Sequence, residues 1–263
     1  MPSPYSNPSK SLLITSPQNS KIKQIYALQT QRKTRDKEKR FVLENPNRIL
    51  DQIAQNPDQI DYLLYDHTNP IPNLPNTLTA YEAIPELLNK LSHLNANSGW
   101  FAVLKQPEPT LDTVIKTLRY GFLLDHIATP SNLGAIVRTA AAFSIDAIFL
   151  TPGCTDPYHP DAIRAMAGTH FIVPIITLTP KTYEQLSHYP LVLLDAHAKN
   201  LFNKENLPKT GLFVFGSEGQ GIKTPFIKTT KNQLSLHINL NPKVESLNVA
   251  ATAAIVAHTL STL

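Results

Sequence analysis

Cysteine is almost missing from this chain. Cys154 stands alone among 263 residues, which excludes an internal disulfide framework and a cysteine-rich zinc site. A reducing cytoplasm suits that usage, and the cytoplasm is the expected compartment. Long apolar runs are also lacking: none approaches the ~20 residues needed to cross a bilayer. The N-terminus, MPSPYSNPSK, has no apolar core of a secretory signal. Nine histidines occur, but never at HxxxH or HExxH spacing, so no metal is expected. Glycine is withheld from the first third: none of the nine precedes Gly99. Charged residues make up only 17% of the chain against 42% apolar ones, the balance of a globular protein that buries a core.

The small net charge of +4 is unevenly placed. KIKQIYALQTQRKTRDKEKR, residues 21–40, carries eight Lys/Arg against Asp36 and Glu38. An excess of that kind on an amphipathic segment favours a polyanion, most often nucleic acid. Lys21, Lys23, Arg32, Lys33 and Arg35 are the candidate RNA contacts. A solvated helix face laced with i,i+4 pairs explains the same composition.

The length accommodates two domains, and the glycine boundary places them. Residues 1–10 are expected to be disordered, 11–105 to form an N-terminal α/β domain, 106–112 a linker and 113–263 a second domain. In the first, SKIKQIYALQ and NRILDQIAQ predict helices, DYLLYD and GWFAVLK predict strands, and NPIPNLPN a loop. In the second, strands are predicted at 121–127, 146–151, 171–176, 191–196, 211–216 and 234–240. Several are unbroken apolar runs, as in strands covered on both faces. Helical stretches fall between them, which predicts an α/β domain with a mostly parallel sheet. Ligands in such sheets sit beyond the carboxyl ends of the strands.

Three loops after predicted strands carry chemistry. In ATPSNLGAIVRTAAAF (128–143), Asn132 is placed to cap a helix starting at Leu133. Leu133, Ile136, Val137, Ala140 and Phe143 form its apolar stripe. Arg138 faces the other way among Gly134, Ala135 and Ala142, and small neighbours let a phosphate or ribose approach a guanidinium. In FVFGSEGQGIKT (213–224), Gly216, Gly221, Lys223 and Thr224 nearly spell a nucleotide P-loop, but Ile222 breaks its register and Glu218 would repel a triphosphate. A ligand with few negative charges fits better. In INLNPKVESLNVAATAAIVAHTL (238–260), Ser246 and Asn248 are helix-entry residues ahead of an alanine-rich helix. Asp125, His126, Asp195 and His197 stand at strand ends without readable partners and are taken as structural or substrate-side groups.

Taken together and in order, the three loops resemble the motifs of the SpoU (TrmH) branch of the SPOUT RNA methyltransferases. Asn132-Leu133-Gly134 with Arg138-Thr139-Ala140, then Gly216-Ser217-Glu218-Gly219 with Gly221, then Glu245-Ser246-Leu247-Asn248-Val249 stand where that family has its signatures. The likeness spans about 121–260, and RAMAGTH (164–170) is similar to a further family segment. Residues 11–105 resemble, more loosely, an L30e-like substrate-binding domain. Two departures stand out: Asn45-Pro46 where relatives have glycine after the glutamate, and Ser144 where they have glycine after the phenylalanine.

The resemblance implies a deep trefoil knot near the C-terminus, a homodimer, S-adenosylmethionine as cofactor and 2′-O-methylation of a ribose in RNA, with rRNA ahead of tRNA. It implies Asn132, Arg138, Glu218, Ser246 and Asn248 lining the reacting ribose and the cofactor, with Gly216, Ile238, Ser246 and Leu247 as the cofactor contacts. A non-catalytic RNA-binding protein on the same fold stays open as an alternative.

Overall fold

The structure, a computed structural model, describes residues 13–92, 99–217, 219 and 221–263. The disorder expected for 1–10 and any placement of Glu218 lie outside the described residues. The chain divides into two compact units, one of residues up to Gln106 together with Tyr158–Arg164, the other holding the rest.

In the first unit, α1 (Ser20–Thr30), α2 (Arg32–Glu38), β1 (Arg40–Leu43), α3 (Pro46–Gln55), β2 (Ile60–Asp66), β3 (Ala80–Ala83), α4 (Pro85–Leu91) and β4 (Trp100–Lys105) follow one another. The four strands form a sheet in the order β1-β4-β2-β3, antiparallel except where β2 meets β3. Ile22, Ile25 and Leu28 of α1 pack with Leu87, Leu88 and Leu91 of α4 over Tyr62, Leu64, Phe101 and Val103. The basic segment is therefore two helices, broken at extended Gln31. Pro46 opens α3, where a missing N–H costs nothing, and Asn45 caps it by accepting from the Arg48 amide at 3.2 Å. That is the local reason for the Asn-Pro departure.

The second unit runs α5 (Leu111–Val114), β5 (Tyr120–Leu124), α6 (Pro130–Ala142), β6 (Ala147–Leu150), α7 (Pro160–Met166, partly in the first unit), β7 (Ile175–Thr177), β8 (Leu191–Leu194), β9 (Asn200–Leu201), β10 (Gly211–Phe215), α8 (Pro225–Thr229), β11 (Gln233–His237) and α9 (Val249–Leu260). Seven strands form one sheet in the order β7-β6-β5-β10-β8-β11-β9, and every pairing is parallel. β5, β6 and β10 are buried along their whole length, as unbroken apolar strands must be. The Phe122 and Phe215 rings meet edge to face at 4.9 Å.

Two expectations are corrected here. The strand predicted at 171–176 is only Ile175–Thr177; Pro174 cannot donate to a ladder, and Ile172 before it is 63% exposed. The helix expected to begin at Leu133 with Asn132 as cap begins at Pro130, with Thr129 in the cap position. Proline takes the first helical position at no cost in hydrogen bonds, so Asn132 lies inside the first turn. Among the described residues no helix is long and apolar enough to cross a membrane.

Candidate functional site

Because all the strands run the same way, the segments following β5, β6, β8, β10 and β11 gather along one edge of the sheet. A cleft of about 620 Å³ opens there, walled by residues after β8 (Asp195 to His197), after β10 (Gly216, Ser217, Gly219, Gly221, Ile222) and after β11 (Ile238, Leu240, Glu245 to Leu247). Leu193, Phe215, Leu236 and Val249 give it apolar sides. The size is that of a small-molecule site.

All four residues expected against a cofactor, Gly216, Ile238, Ser246 and Leu247, line this cleft. Gly216 admits no side chain: a Cβ would lie 2.5 Å from the Gly221 carbonyl carbon. That close approach is enforced by paired backbone bonds between Ser217 and Gly221, at 3.0 and 2.9 Å, with Gly221 at φ 63°.

The turn is anchored from below by Asp125, which is 0% exposed. Its carboxylate accepts five hydrogen bonds: from the amides of Lys223 and Thr224, the Thr224 hydroxyl, the Thr151 hydroxyl at 2.9 Å and His126 Nδ1 at 2.8 Å. Burial alone would raise its pKa, but these donors, led by the Thr224 hydroxyl, hold it down to about 2. The same bonds dispose of the P-loop reading, since the Lys-Thr pair that would serve a phosphate turns its backbone and hydroxyl donors to a buried acid.

Asn132 and Asn248, 116 residues apart, meet: Asn248 Nδ2 donates to Asn132 Oδ1 at 3.1 Å. Asn248 also caps α9, its Oδ1 accepting from the Ala250 amide at 2.9 Å. At the far ends of the same helices the Phe143 and His258 rings meet at 5.7 Å. α6 and α9 therefore run side by side in the same direction, and their N-termini, the positive ends of their dipoles, lie together. Ser246 belongs to the cleft wall just before that junction.

Arg138 is exposed on α6 and is not among the residues lining the cleft. Among the described residues it has no hydrogen-bond or ion-pair partner. Of the expected RNA contacts, Lys23, Arg32 and Lys33 are exposed. Lys21 holds its ammonium 4.1 Å above the Tyr62 ring. Arg35 needs correction: it is 3% exposed, and its guanidinium donates to the Leu28 carbonyl at 2.6 Å, tying α2 to α1. A charge spent on backbone carbonyls inside the fold does not meet RNA.

Sequence reading left Asp125 without a readable partner: apart from the neighbouring His126, its donors come from 26 and 98–99 residues away. It also passed over Lys228, Leu240 and Thr252, which line the cleft. Asp195 and His197 line it as well, and the rule that ligands bind past strand carboxyl ends was the signal for them.

The profile of the SpoU rRNA methylase family matches residues 120–258. The 23S rRNA (guanosine(2553)-2'-O)-methyltransferase RlmP of Bacillus subtilis is 28% identical over 251 residues, covering 94% of this chain and 98% of its own length. The SpoU methyltransferase AviRb of Streptomyces viridochromogenes, solved in complex with AdoMet, superposes with a TM-score of 0.79 at 22% identity, over 93% of this chain and 97% of that one. A solved RNA 2'-O ribose methyltransferase gives 0.75 at 26% identity, over 96% and 100%. The α/β fold with its parallel sheet is shared with these structures. With more than half of its length matched by the profile, and the matched part holding the cleft and the Asn132–Asn248 junction, this chain belongs to the SpoU rRNA methylase family.

Proposed function

We propose that this chain is an enzyme that methylates a ribose 2′-hydroxyl in ribosomal RNA, with S-adenosylmethionine as methyl donor. The observation that carries the reading is the convergence of Gly216, Ile238, Ser246 and Leu247 on one cleft beside the Asn132–Asn248 junction. RlmP, similar along nearly the whole of both chains, supports the choice of rRNA.

The cleft suits such a donor. Apolar walls accept an adenine, and the turn at Gly216 leaves backbone within reach of a ligand. Asp195 and Glu245 in the lining favour a ligand carrying positive charge and oppose a triphosphate. When bound, the donor supplies a methyl group on a positively charged sulfonium. Asn132 and Asn248 hold the two helix N-termini in register, and the paired dipoles favour an anionic RNA backbone there. Arg138 clamps ribose and phosphate, and a neighbouring phosphate oxygen takes the 2′-hydroxyl proton, since a guanidinium with pKa above ~12 is a poor base. Ser246 and Glu218 complete the ribose side. Lys23, Arg32 and Lys33 attract the RNA through an exposed basic surface.

The proposal also includes the trefoil knot, supported by the out-of-sequence strand order β5-β10-β8-β11, an L30e-like role for the first unit, a homodimer and a cytoplasmic site of action. The decisive test is Arg138→Ala, assayed with radiolabelled donor on 23S rRNA and tRNA transcripts and by calorimetry with S-adenosylhomocysteine. Methyl transfer to rRNA should fall roughly 10²–10⁴-fold, the range for a positioned group of this kind, while S-adenosylhomocysteine binding is unchanged. Full activity in the variant refutes the role of Arg138, and transfer to tRNA alone refutes the choice of substrate.

A further inference from the structure

The geometry points to Tyr26 as a stacking platform for an unpaired base of the RNA, a proposal that rests on the RNA-methylating reading above. α1 buries Ile22, Ile25, Leu28 and Gln29. Its outward stripe is Ser20, Lys23, Tyr26 and Thr30, all exposed, at the i, i+3, i+6, i+10 spacing of one helix face. Tyr26 is 56% exposed. Other tyrosines of the chain have work inside the fold: the hydroxyl of Tyr62 donates to Gln24, that of Tyr65 to Glu82 and that of Tyr189 to the Ile115 carbonyl. Among the described residues the Tyr26 side chain has no hydrogen-bond or ring partner.

An exposed ring alone is ordinary on a protein surface. What singles this one out is its charge setting. Lys23 lies one turn before it on the same face, and Arg32 and Lys33 follow as the chain leaves α1. Arg32 pairs only loosely with Asp36, at 3.5 Å with both side chains more than half exposed, so water and phosphate compete for it. Cations that track a backbone around an aromatic face are the elements of single-strand recognition. A duplex keeps its bases stacked on one another and offers that ring nothing, so the contact selects an unpaired nucleotide of the RNA.

The test uses the full chain, a single-stranded oligoribonucleotide of about 10 nucleotides, and a duplex of the same length, at fixed salt for the Tyr26 variants and across a salt series for the lysine variants. Tyr26→Ala should bind the single strand roughly 5-fold to 150-fold more weakly, the range for one lost stacked base, with duplex affinity unchanged. Tyr26→Phe should restore single-strand binding, and Tyr26→Trp should show emission quenched by the single strand and not by the duplex. Thermal melts of all three should match the parent chain, because the ring is not part of the core. If Tyr26→Ala binds both probes as the parent does while Lys23→Gln with Lys33→Gln still flattens the salt dependence, the stacking proposal falls and the RNA reading stands. A parent chain that binds neither probe overturns both.

Discussion

Asp125 is where a single residue decides most. It joins the end of β5 to the end of β6 and to the turn after β10 through five accepted hydrogen bonds. Asp125→Ala would leave two amides and two hydroxyls without their acceptor inside the fold. Four such losses at about 1–3 kcal/mol each predict a drop of at least about 4 kcal/mol in denaturant unfolding, with weaker binding of S-adenosylhomocysteine because the Gly216 turn loses its anchor. The acid dependence has a definite sign. The folded pKa of about 2 lies below the ordinary 3.8, so the carboxylate's contribution, about 2 kcal/mol, is complete above about pH 4. It is lost as pH falls from there through 2. Urea unfolding of the parent and of Asp125→Asn across that window should show this contribution in the parent and not in the variant. None of this was legible in the sequence, which presents only an aspartate after an apolar run.

Elements show why local departures from a family pattern need not be defects. At the end of α6 the Ile145 amide donates to the Ala140 carbonyl at 2.9 Å and the Ser144 amide to Ala141 at 3.4 Å. With Ser144 at φ 55°, this is the Schellman geometry, which calls for a left-handed residue at that position. Serine pays a steric cost there that glycine does not. Ser144→Gly should therefore raise stability by about 0.5–1 kcal/mol in urea unfolding, with the methyl-transfer rate unchanged; a loss of stability would mean that the serine side chain is held by something else. The helix start tells the complementary story. Asn132 is a good cap by residue type, yet Pro130 sets the helix earlier and leaves its amide for Asn248.

For the whole molecule, the proposed homodimer makes its own prediction. α9 turns Ala251, Ile255 and His258 outward, and Ile255 is 39% exposed on this alanine-rich helix. Ile255→Glu should shift sedimentation from dimer to monomer at micromolar protein, because a charge buried in a self-complementary interface is unpaired twice over; an unchanged dimer would move the interface elsewhere. Residue order alone determined the alternation of apolar strands and helices, the parallel sheet and the three signature loops, since these are patterns of neighbours and short spacings. Only the tertiary structure decided that Asn132 meets Asn248 and that Asp125 meets Thr224. Those outcomes depend on which distant segments the sheet order brings together, and no local periodicity encodes a contact across a hundred residues.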